Sequence, residues 1–448
     1  MKLFGTDGIR AHAGEFPLNA ASIVAIGQAI AERLDGAVLV GQDTRVSSSW
    51  IFDLLKQGFE RSGKATIENA GIIPTPAVAL LTRMNPFAGG VMISASHNPF
   101  EDNGIKVFSS DGTKLSDATE CEIEQRIQAL MPAGADTLAS SVPDIAISKN
   151  VVGRWLESYR ELLLSHFSGG QWLSGMRIVA DCANGAMSVV APELLRQLGA
   201  DVRVICGEPN GKNINLNCGA VHLEALAAAM KLEAADFGVA FDGDGDRSLF
   251  VARSGKHVDG DAVLLLMARR TKPSTVVGTS MTNYALEKML GAEGIALTRV
   301  GVGDRYVFEE MKRSGASIGG EPSGHIIFSD FGLSGDGLLS ALKLAETIVE
   351  AKKSLDDLTY DWIPAPQLLK GVRVSRRIPI EDMPSLQAVM RDANAVLDRC
   401  GRLVVRYSGT EPLLRVMIES DDAERNEEWM QRLLGAIEKD LPGKSDFV

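Results

Sequence analysis

One pattern recurs three times along this chain and restricts its fold more than any single motif. It is a short β-branched strand, a polar Gly-containing turn, and an amphipathic helix that stops near a glycine. The first copy is Ala37-Val38-Leu39-Val40-Gly41-Gln42-Asp43-Thr44-Arg45, with a helix from about Ser48 to Ser62. The second is Arg177-Ile178-Val179-Ala180-Asp181-Cys182-Ala183-Asn184-Gly185, with a helix to about Leu198, and the third is Ser274-Thr275-Val276-Val277-Gly278-Thr279-Ser280, with a helix to about Leu290. Gly63, Gly199 and Gly291 stand where helix stops are expected. A further strand follows each helix, so each copy reads as a βαβ unit, which favours a sheet flanked by helices.

Each unit is followed by a second strand that runs into a strongly polar loop. These are Val91-Met92-Ile93 into Ser94-Ala95-Ser96-His97-Asn98-Pro99, Gly238-Val239-Ala240-Phe241 into Asp242-Gly243-Asp244-Gly245-Asp246-Arg247, and Ser317-Ile318-Gly319 into Gly320-Glu321-Pro322-Ser323-Gly324-His325. Open α/β sheets bind ligands at the C-terminal ends of strands, so three similar domains can converge three loops on one cleft. From Pro366 the order changes: a helix near Pro384–Asp398 precedes strands Arg402–Arg406 and Leu413–Glu419, which flank Tyr407-Ser408-Gly409-Thr410-Glu411-Pro412. The expected fold is three similar α/β domains with mixed sheets around a central cleft, plus a smaller C-terminal α+β domain. The expected boundaries are 1–150, 151–252, 253–365 and 366–448.

A chain of 448 residues has room for this, at roughly 100–200 residues per domain. Lys and Arg total 46 against 58 Asp and Glu, a formal charge of −12. That balance excludes a general affinity for nucleic acid or an anionic membrane, both of which need a basic face. The five cysteines (Cys121, Cys182, Cys206, Cys218, Cys400) are scattered and form no Cys-x-x-Cys pair, which argues against a disulfide framework or structural zinc. The first residues, Met1 to Gly14, carry no apolar h-region. The longest apolar run, Ala262–Ala268, is far short of a membrane span. A soluble, cytoplasmic protein is expected.

Four loops could carry chemistry. Asp242, Asp244 and Asp246 alternate with glycine after an apolar strand, and alternation in an extended segment would point the carboxylates to one side. Three carboxylates suit a hard cation such as Mg²⁺; a calcium EF-hand does not fit, since Arg247 and Arg253 occupy its sixth and twelfth positions. An acidic surface turn is the plainer reading. Ser96 lies beside His97, but neighbours on an extended segment point apart and no Gly-x-Ser-x-Gly elbow occurs. Ser96 is thus either a turn residue or a nucleophile for phosphoryl transfer. Arg10, Lys106, Arg247 and His325 form a scattered basic set; arginine can hold phosphoryl oxygens, lysine and histidine can move protons, and each alone could equally be a solvated surface group. Ser408, Gly409 and Thr410, framed by Arg406 and Arg415, form either a phosphate nest or a plain hairpin turn. Gly58-Phe59-Glu60-Arg61-Ser62-Gly63-Lys64 mimics a P-loop, but Ala65 replaces the Ser/Thr and the strand–helix order is reversed, so it reads as a helix cap.

Taken together, these loops resemble the α-D-phosphohexomutase superfamily, and most closely its bacterial phosphoglucosamine branch. The resemblance runs from Phe4 to about Met430. It rests on Gly5-Thr6-Asp7-Gly8-Ile9-Arg10, the Ser96, Asp242 and Glu321 loops, and Arg406-Tyr407-Ser408-Gly409-Thr410-Glu411-Pro412. Asn103-Gly104-Ile105-Lys106 and Val302-Gly303-Asp304-Arg305-Tyr306-Val307 point to the glucosamine branch; Pro322 and Ala11 depart from its usual Gln and Gly. The resemblance implies a phosphoserine at Ser96, with Mg²⁺ held by Ser96, Asp242, Asp244 and Asp246. It implies an isomerase that interconverts the 6- and 1-phosphates of a hexosamine through a 1,6-bisphosphate, which also serves as activator, and that feeds UDP-N-acetylglucosamine synthesis. Arg10 and Arg247 would steady the transferring group, and Lys106 and His325 would act as acid and base. Glu321 and Ser323 would hold sugar hydroxyls; Arg406, Ser408, Gly409, Thr410 and Arg415 would hold the other phosphate, with the fourth domain closing over the cleft. A phosphomannomutase/phosphoglucomutase with the same mechanism is the alternative. The expected partner is a small sugar phosphate, with monomer and dimer both open.

Overall fold

In a computed structural model the chain forms two compact units, Met1–Thr279 with Thr298–Tyr360, and Ser280–Leu297 with Asp361–Val448. The structure describes residues 2–5, 7–131, 134–144, 153–167, 170–374, 376–398, 400–408 and 413–441.

In the first unit, one five-stranded sheet has the order Ile9–His12, Asp102–Ser109, Gly89–Ile93, Ala37–Gln42, Thr66–Ile72. Ala37–Gln42 runs parallel to both of its neighbours, whereas Asp102–Ser109 is antiparallel to Gly89–Ile93 and to Ile9–His12. A second sheet repeats the plan: His257–Val258, Ser248–Ala252, Phe237–Phe241, Arg177–Asp181, Asp201–Ile205. Its three parallel strands and antiparallel edge match the first. In a third, Thr275–Thr279 is parallel to Ile318–Gly320, which is antiparallel to Ile326–Phe328. The expected repeat is therefore present as a repeated mixed sheet. Gly89–Ile93 and Phe237–Phe241 are buried at every residue, which explains their uninterrupted apolar sequences between helical layers.

The helices follow the expected periodicity with two corrections. The second copy has a short 3-10 turn, Ala186–Val189, before its helix Ala191–Gln197. The third helix, Tyr284–Ala292, runs through Gly291; the left-handed residue beyond it is Gly294, at φ 76°. The P-loop mimic is a cap: helix Val46–Ser62 ends at Gly63, φ 65°, whose N–H bonds to the Phe59 carbonyl. Gly58 lets that helix touch helix Ala20–Leu34, because a Cβ there would stand 2.3 Å from the Val24 carbonyl oxygen. Helix Gly337–Ala351 is N-capped by Asp336, which also accepts the Tyr159 hydroxyl at 3.0 and 2.9 Å.

The second unit contains a strand that the sequence reading missed. Gln367–Arg373 pairs antiparallel with Leu413–Ser420, which pairs with Gly401–Tyr407. Only its Gly371 and Val372 are buried, so it lacked a clear apolar alternation. Helices Pro384–Leu397 and Ala423–Asp440 complete a core around Leu386, Val416, Ile418, Trp429 and Leu433. Among the described residues no helix is long and apolar enough to cross a membrane.

Candidate active site

Ser96 follows strand Gly89–Ile93 and takes the left-handed conformation, φ 53°. Few residues other than glycine do so. Its Oγ donates to Asp242 Oδ2 at 2.5 Å. The expectation that Ser96 and His97 point apart is overturned: His97 Nδ1 lies 3.3 Å from Ser96 Oγ, because the left-handed residue breaks the alternation of an extended chain. Burial, and then the charges of Arg247 and Arg10, push His97 down to about 4. It is a neutral hydrogen-bonding partner at pH 7.

The geometry of Ser96 is held from behind by residues the sequence analysis did not select. Arg45, 1% exposed, donates to the carbonyls of Ser96 (3.0 Å), Asn98 (2.9 Å), Asp102 (2.9 Å) and Pro99, and its Nε pairs with Asp43 at 2.8 Å. Asp43 accepts the Ser94 hydroxyl at 2.7 Å, and Ser94 Oγ accepts the Ser96 N–H at 2.9 Å. From a turn beyond strand Asp201–Ile205, the Asn215 amide donates to the Ser96 and Asn98 carbonyls at 2.9 and 3.0 Å. The available signal was a charged pair, Asp43 and Arg45, directly after a buried strand of the first repeat.

Asp242, Asp244 and Asp246 follow strand Phe237–Phe241 and are 1, 0 and 5% exposed. They converge, each offering an oxygen within 4.8 Å of the others. The expected reason was wrong. The segment is a turn closed by the Gly245 N–H on the Asp242 carbonyl, with Gly245 at φ 73°, and not an alternating extended strand. Burial, reinforced by Asp246 and Asp244, raises Asp242 well above the ordinary carboxylate range. Asp244 Oδ1 and Asp246 Oδ1 are buried and accept no hydrogen bond. Three converging carboxylates with idle buried oxygens fit a hard divalent cation. Gly243 permits the closeness of the two loops: a Cβ there would lie 2.5 Å from the Ser96 carbonyl oxygen.

Four basic groups named from the sequence enclose this cluster. Lys106, 1% exposed on strand Asp102–Ser109, places Nζ 2.7 Å from Asp244, 3.3 Å from Asp246 and 3.4 Å from Asp7. Burial opposes its charge, yet these three carboxylates hold its proton well above the usual lysine range. Arg10 pairs with Asp7 and donates to the Ala95 carbonyl at 3.3 Å. Arg247 reaches His97 Nδ1 at 3.4 Å. The Nε atoms of Arg10 and Arg247 are buried without a hydrogen-bond partner, a donor pair suited to an anion.

His325 ends the third loop. Its Nε2 accepts the Gly335 N–H at 2.8 Å, leaving the proton of the neutral ring on Nδ1, 3.8 Å from Asp246. Burial pulls its pKa down, but Asp246, with Asp304 and Glu321, reverses this and raises it. Within the same loop the Gly324 N–H bonds to the Glu321 carbonyl at 3.0 Å, a turn with Pro322 in its second position, where proline's fixed φ suits the backbone. Glu321 accepts from the Gly303 N–H at 3.1 Å and the Ser323 hydroxyl at 3.4 Å. Two more residues missed from the sequence bind the loops together. Lys114 bridges Asp7 and Asp304 at 2.7 and 2.8 Å, and Thr75 donates its hydroxyl to Asp244 Oδ2 at 2.5 Å.

In the second unit, Arg406 and Arg415 are direct cross-strand partners. Burial, and then Arg415, lower the Arg406 pKa. Like charges opposite one another on a sheet repel, and two guanidinium groups so placed suit an anion. Ser408 follows this strand, with its N–H on the Leu413 carbonyl at 2.8 Å and its own carbonyl accepting Arg377 at 2.7 Å. Gly409 and Thr410 lie outside the described residues.

Comparison with known proteins matches these features in order. Residues 1–133, 157–255 and 259–364 match the alpha/beta/alpha domains I, II and III of phosphoglucomutase/phosphomannomutase, and 369–436 match its C-terminal domain. A phosphoglucosamine mutase of Solibacter usitatus is 45% identical over 450 residues, covering 98% of this chain and 99% of its own. Among solved structures, a phosphoglucomutase/phosphomannomutase family protein from Burkholderia thailandensis aligns over 100% of this chain and 99% of its own, with a TM-score of 0.81 at 20% identity. An N-acetylphosphoglucosamine mutase of Aspergillus fumigatus, in complex with GlcNAc-6P and magnesium, covers 98% of this chain and 95% of its own, with a TM-score of 0.62 at 17% identity. With four domains matched in sequence order and that identity to a relative over nearly its whole length, the chain belongs to the phosphoglucomutase/phosphomannomutase family, among its phosphoglucosamine mutases.

Proposed function

We propose that this protein interconverts glucosamine 6-phosphate and glucosamine 1-phosphate, with Ser96 as the phosphoryl carrier. The observation that carries the reading is the 2.5 Å contact of Ser96 Oγ with Asp242 inside a buried carboxylate cluster whose oxygens are partly idle. Asp242, Asp244, Asp246 and Ser96 would hold Mg²⁺, which supplies charge neutralisation for a transferring phosphoryl group.

The chain's own groups account for the remaining roles. The phosphoryl group leaves Ser96 Oγ as a hydroxyl of the sugar monophosphate bonds to phosphorus, giving the 1,6-bisphosphate; return of its other phosphate to Ser96 releases the isomer. Added hexose 1,6-bisphosphate primes unphosphorylated enzyme by the same return step. Arg10 and Arg247 steady the phosphoryl oxygens through their guanidinium donors. Lys106 and His325 carry the proton between the sugar hydroxyl and the serine oxygen. Glu321 and Ser323 meet sugar hydroxyls, while Arg406, Ser408, Gly409, Thr410 and Arg415 hold the phosphate that is not moving. The substrate is a small soluble hexosamine phosphate, so we read the reaction as cytoplasmic, supplying a 1-phosphate for UDP-N-acetylglucosamine synthesis.

Pro322 favours weighing a second reading, glucose or mannose phosphate as substrate, because it contributes no side-chain hydrogen bond to the sugar loop. Comparing kcat/KM for glucosamine, glucose and mannose 6-phosphates, with Mg²⁺ and a trace of hexose 1,6-bisphosphate, separates the two. A preference of about tenfold for the amino sugar, about 1.4 kcal/mol in the transition state, supports the reading. A preference for a neutral hexose assigns the alternative, and release of free phosphate without isomerisation overturns both. Ser96→Ala tests the carrier itself: it should lose turnover and enzyme-bound phosphate while still binding the sugar phosphate.

A further inference from the structure

Behind the carboxylate loop, the second sheet brings together a donor set of different chemistry. Asp181 ends strand Arg177–Asp181, Cys206 follows strand Asp201–Ile205, and Cys218 lies on the segment that returns past both. Each offers one atom, a carboxylate oxygen or a thiol sulfur, and all three atoms lie within 4.8 Å of one another. The Cys218 sulfur also accepts the Asn184 amide at 4.0 Å. The Asp181 carboxylate is already aimed: Oδ1 accepts the Ala183 N–H at 2.9 Å and Oδ2 the Gly219 N–H at 2.8 Å. Outer-shell bonds of this kind orient a ligating carboxylate while leaving each oxygen a lone pair. Asp181 and Cys218 are buried, and Cys206 is half-buried, which gives a route from solvent.

We propose that Asp181, Cys206 and Cys218 form a second cation site, for a thiophilic divalent ion such as Zn²⁺. Two sulfurs and one carboxylate select Zn²⁺ over Mg²⁺, so this site and the Asp242 cluster differ in softness and do not compete for one ion. On binding, each thiol S–H breaks, a sulfur–metal bond forms, and both protons pass to the buffer. The half-buried Cys206 side leaves a fourth position for water. The site is coupled to the nucleophile through Asn215, whose N–H bonds to the Ala183 carbonyl at 2.9 Å and whose amide holds the Ser96 carbonyl.

The test is a Co²⁺ titration of the full chain, stripped with chelator, reduced with a phosphine, and kept in excess Mg²⁺ so that the carboxylate cluster is not the reporter. One equivalent of Co²⁺ should produce near-ultraviolet sulfur-to-cobalt charge-transfer absorption, which Zn²⁺ then abolishes by displacement. Cys206→Ser, at the half-buried position, should lose that absorption with its circular dichroism unchanged, and Asp181→Asn should weaken binding about tenfold or more. No charge-transfer band at stoichiometric Co²⁺ would overturn the proposal, as would a band that survives in Cys206→Ser. A Cys206–Cys218 disulfide that forms in air, with no metal uptake by the reduced protein, would also overturn it.

Discussion

Arg45 donates a hydrogen bond to the Ser96 carbonyl oxygen at 3.0 Å, and so the proposed nucleophile is positioned through its backbone by a buried side chain. The same guanidinium reaches three further carbonyls of the loop and rests on Asp43. Arg45→Lys keeps the charge beside Asp43 but cannot span those acceptors. Because a displacement of about 1 Å costs on the order of a hundredfold in rate, kcat should fall by about that factor with KM changed less than about threefold. Steady-state kinetics alongside a melting curve check this; a rise in KM at constant kcat would place Arg45 in substrate binding instead.

Much of this was legible before any coordinates, and the part that was not has a physical reason. The three repeats show in the β-branched runs near Val38, Ile178 and Val276, because a strand buried on both faces must be apolar throughout. Ser96 and the Asp242 triplet show because polar residues at a strand's C-terminal end have few structural uses. Arg45 showed only as a charged pair with Asp43, and Lys114, Thr75 and Asn215 were not legible, since each acts on a partner distant in sequence: Asn215 lies 119 residues from Ser96, and Lys114 lies 190 from Asp304. The left-handed turn at Ser96 was likewise hidden, since nothing local to a serine announces it.

Asp242→Asn should expose the cost of the cluster. Burial and two neighbouring carboxylates hold Asp242 well above its ordinary range, so without a cation its charge is a liability. In chelator, the variant should melt at or above the wild-type temperature; with Mg²⁺ the order should reverse, because binding to the folded state alone adds RT ln(1 + [L]/Kd). Turnover should be lost in both conditions. A variant that melts below wild type in chelator would show that the carboxylates do not repel one another as described.

Asp336 gives a pH signature outside the carboxylate cluster. Burial raises it from 3.8 to about 6, against the opposing bonds from Leu339 and Tyr159. The folded chain therefore holds this proton more tightly than the unfolded one. The contribution of Asp336 to stability falls as pH rises from about 4 to about 6, by about 3 kcal/mol, and is level above that. Asp336→Asn keeps an acceptor for the Tyr159 hydroxyl and the helix cap but removes the titration. Its stability relative to wild type should climb across that window in urea melts, and a difference independent of pH would refute the raised pKa.

Arg415→Gln tests the proposed phosphate-holding pair in the second unit. With Arg406 directly across the strand, removing one of the two charges should weaken anion binding. KM for the sugar phosphate should rise about tenfold or more. Unchanged KM would remove this pair from the substrate site.

Under the proposed mechanism, the cross-bonding within the first unit also bears on how one site can serve two ends of a sugar. Lys114 ties Asp7 to Asp304, Thr75 ties into Asp244, and the Thr44 hydroxyl donates to the Asn184 carbonyl. Loops laced in this way act as a jig: neither half of the reaction can be given its own arrangement of carrier, acids and bases. The ligand must do the turning, and it meets the same fixed tools whichever phosphate it presents. Forward and reverse passage then draw on one set of contacts, and the ratio of the two isomers at rest is left to the chemistry of the sugar phosphates themselves.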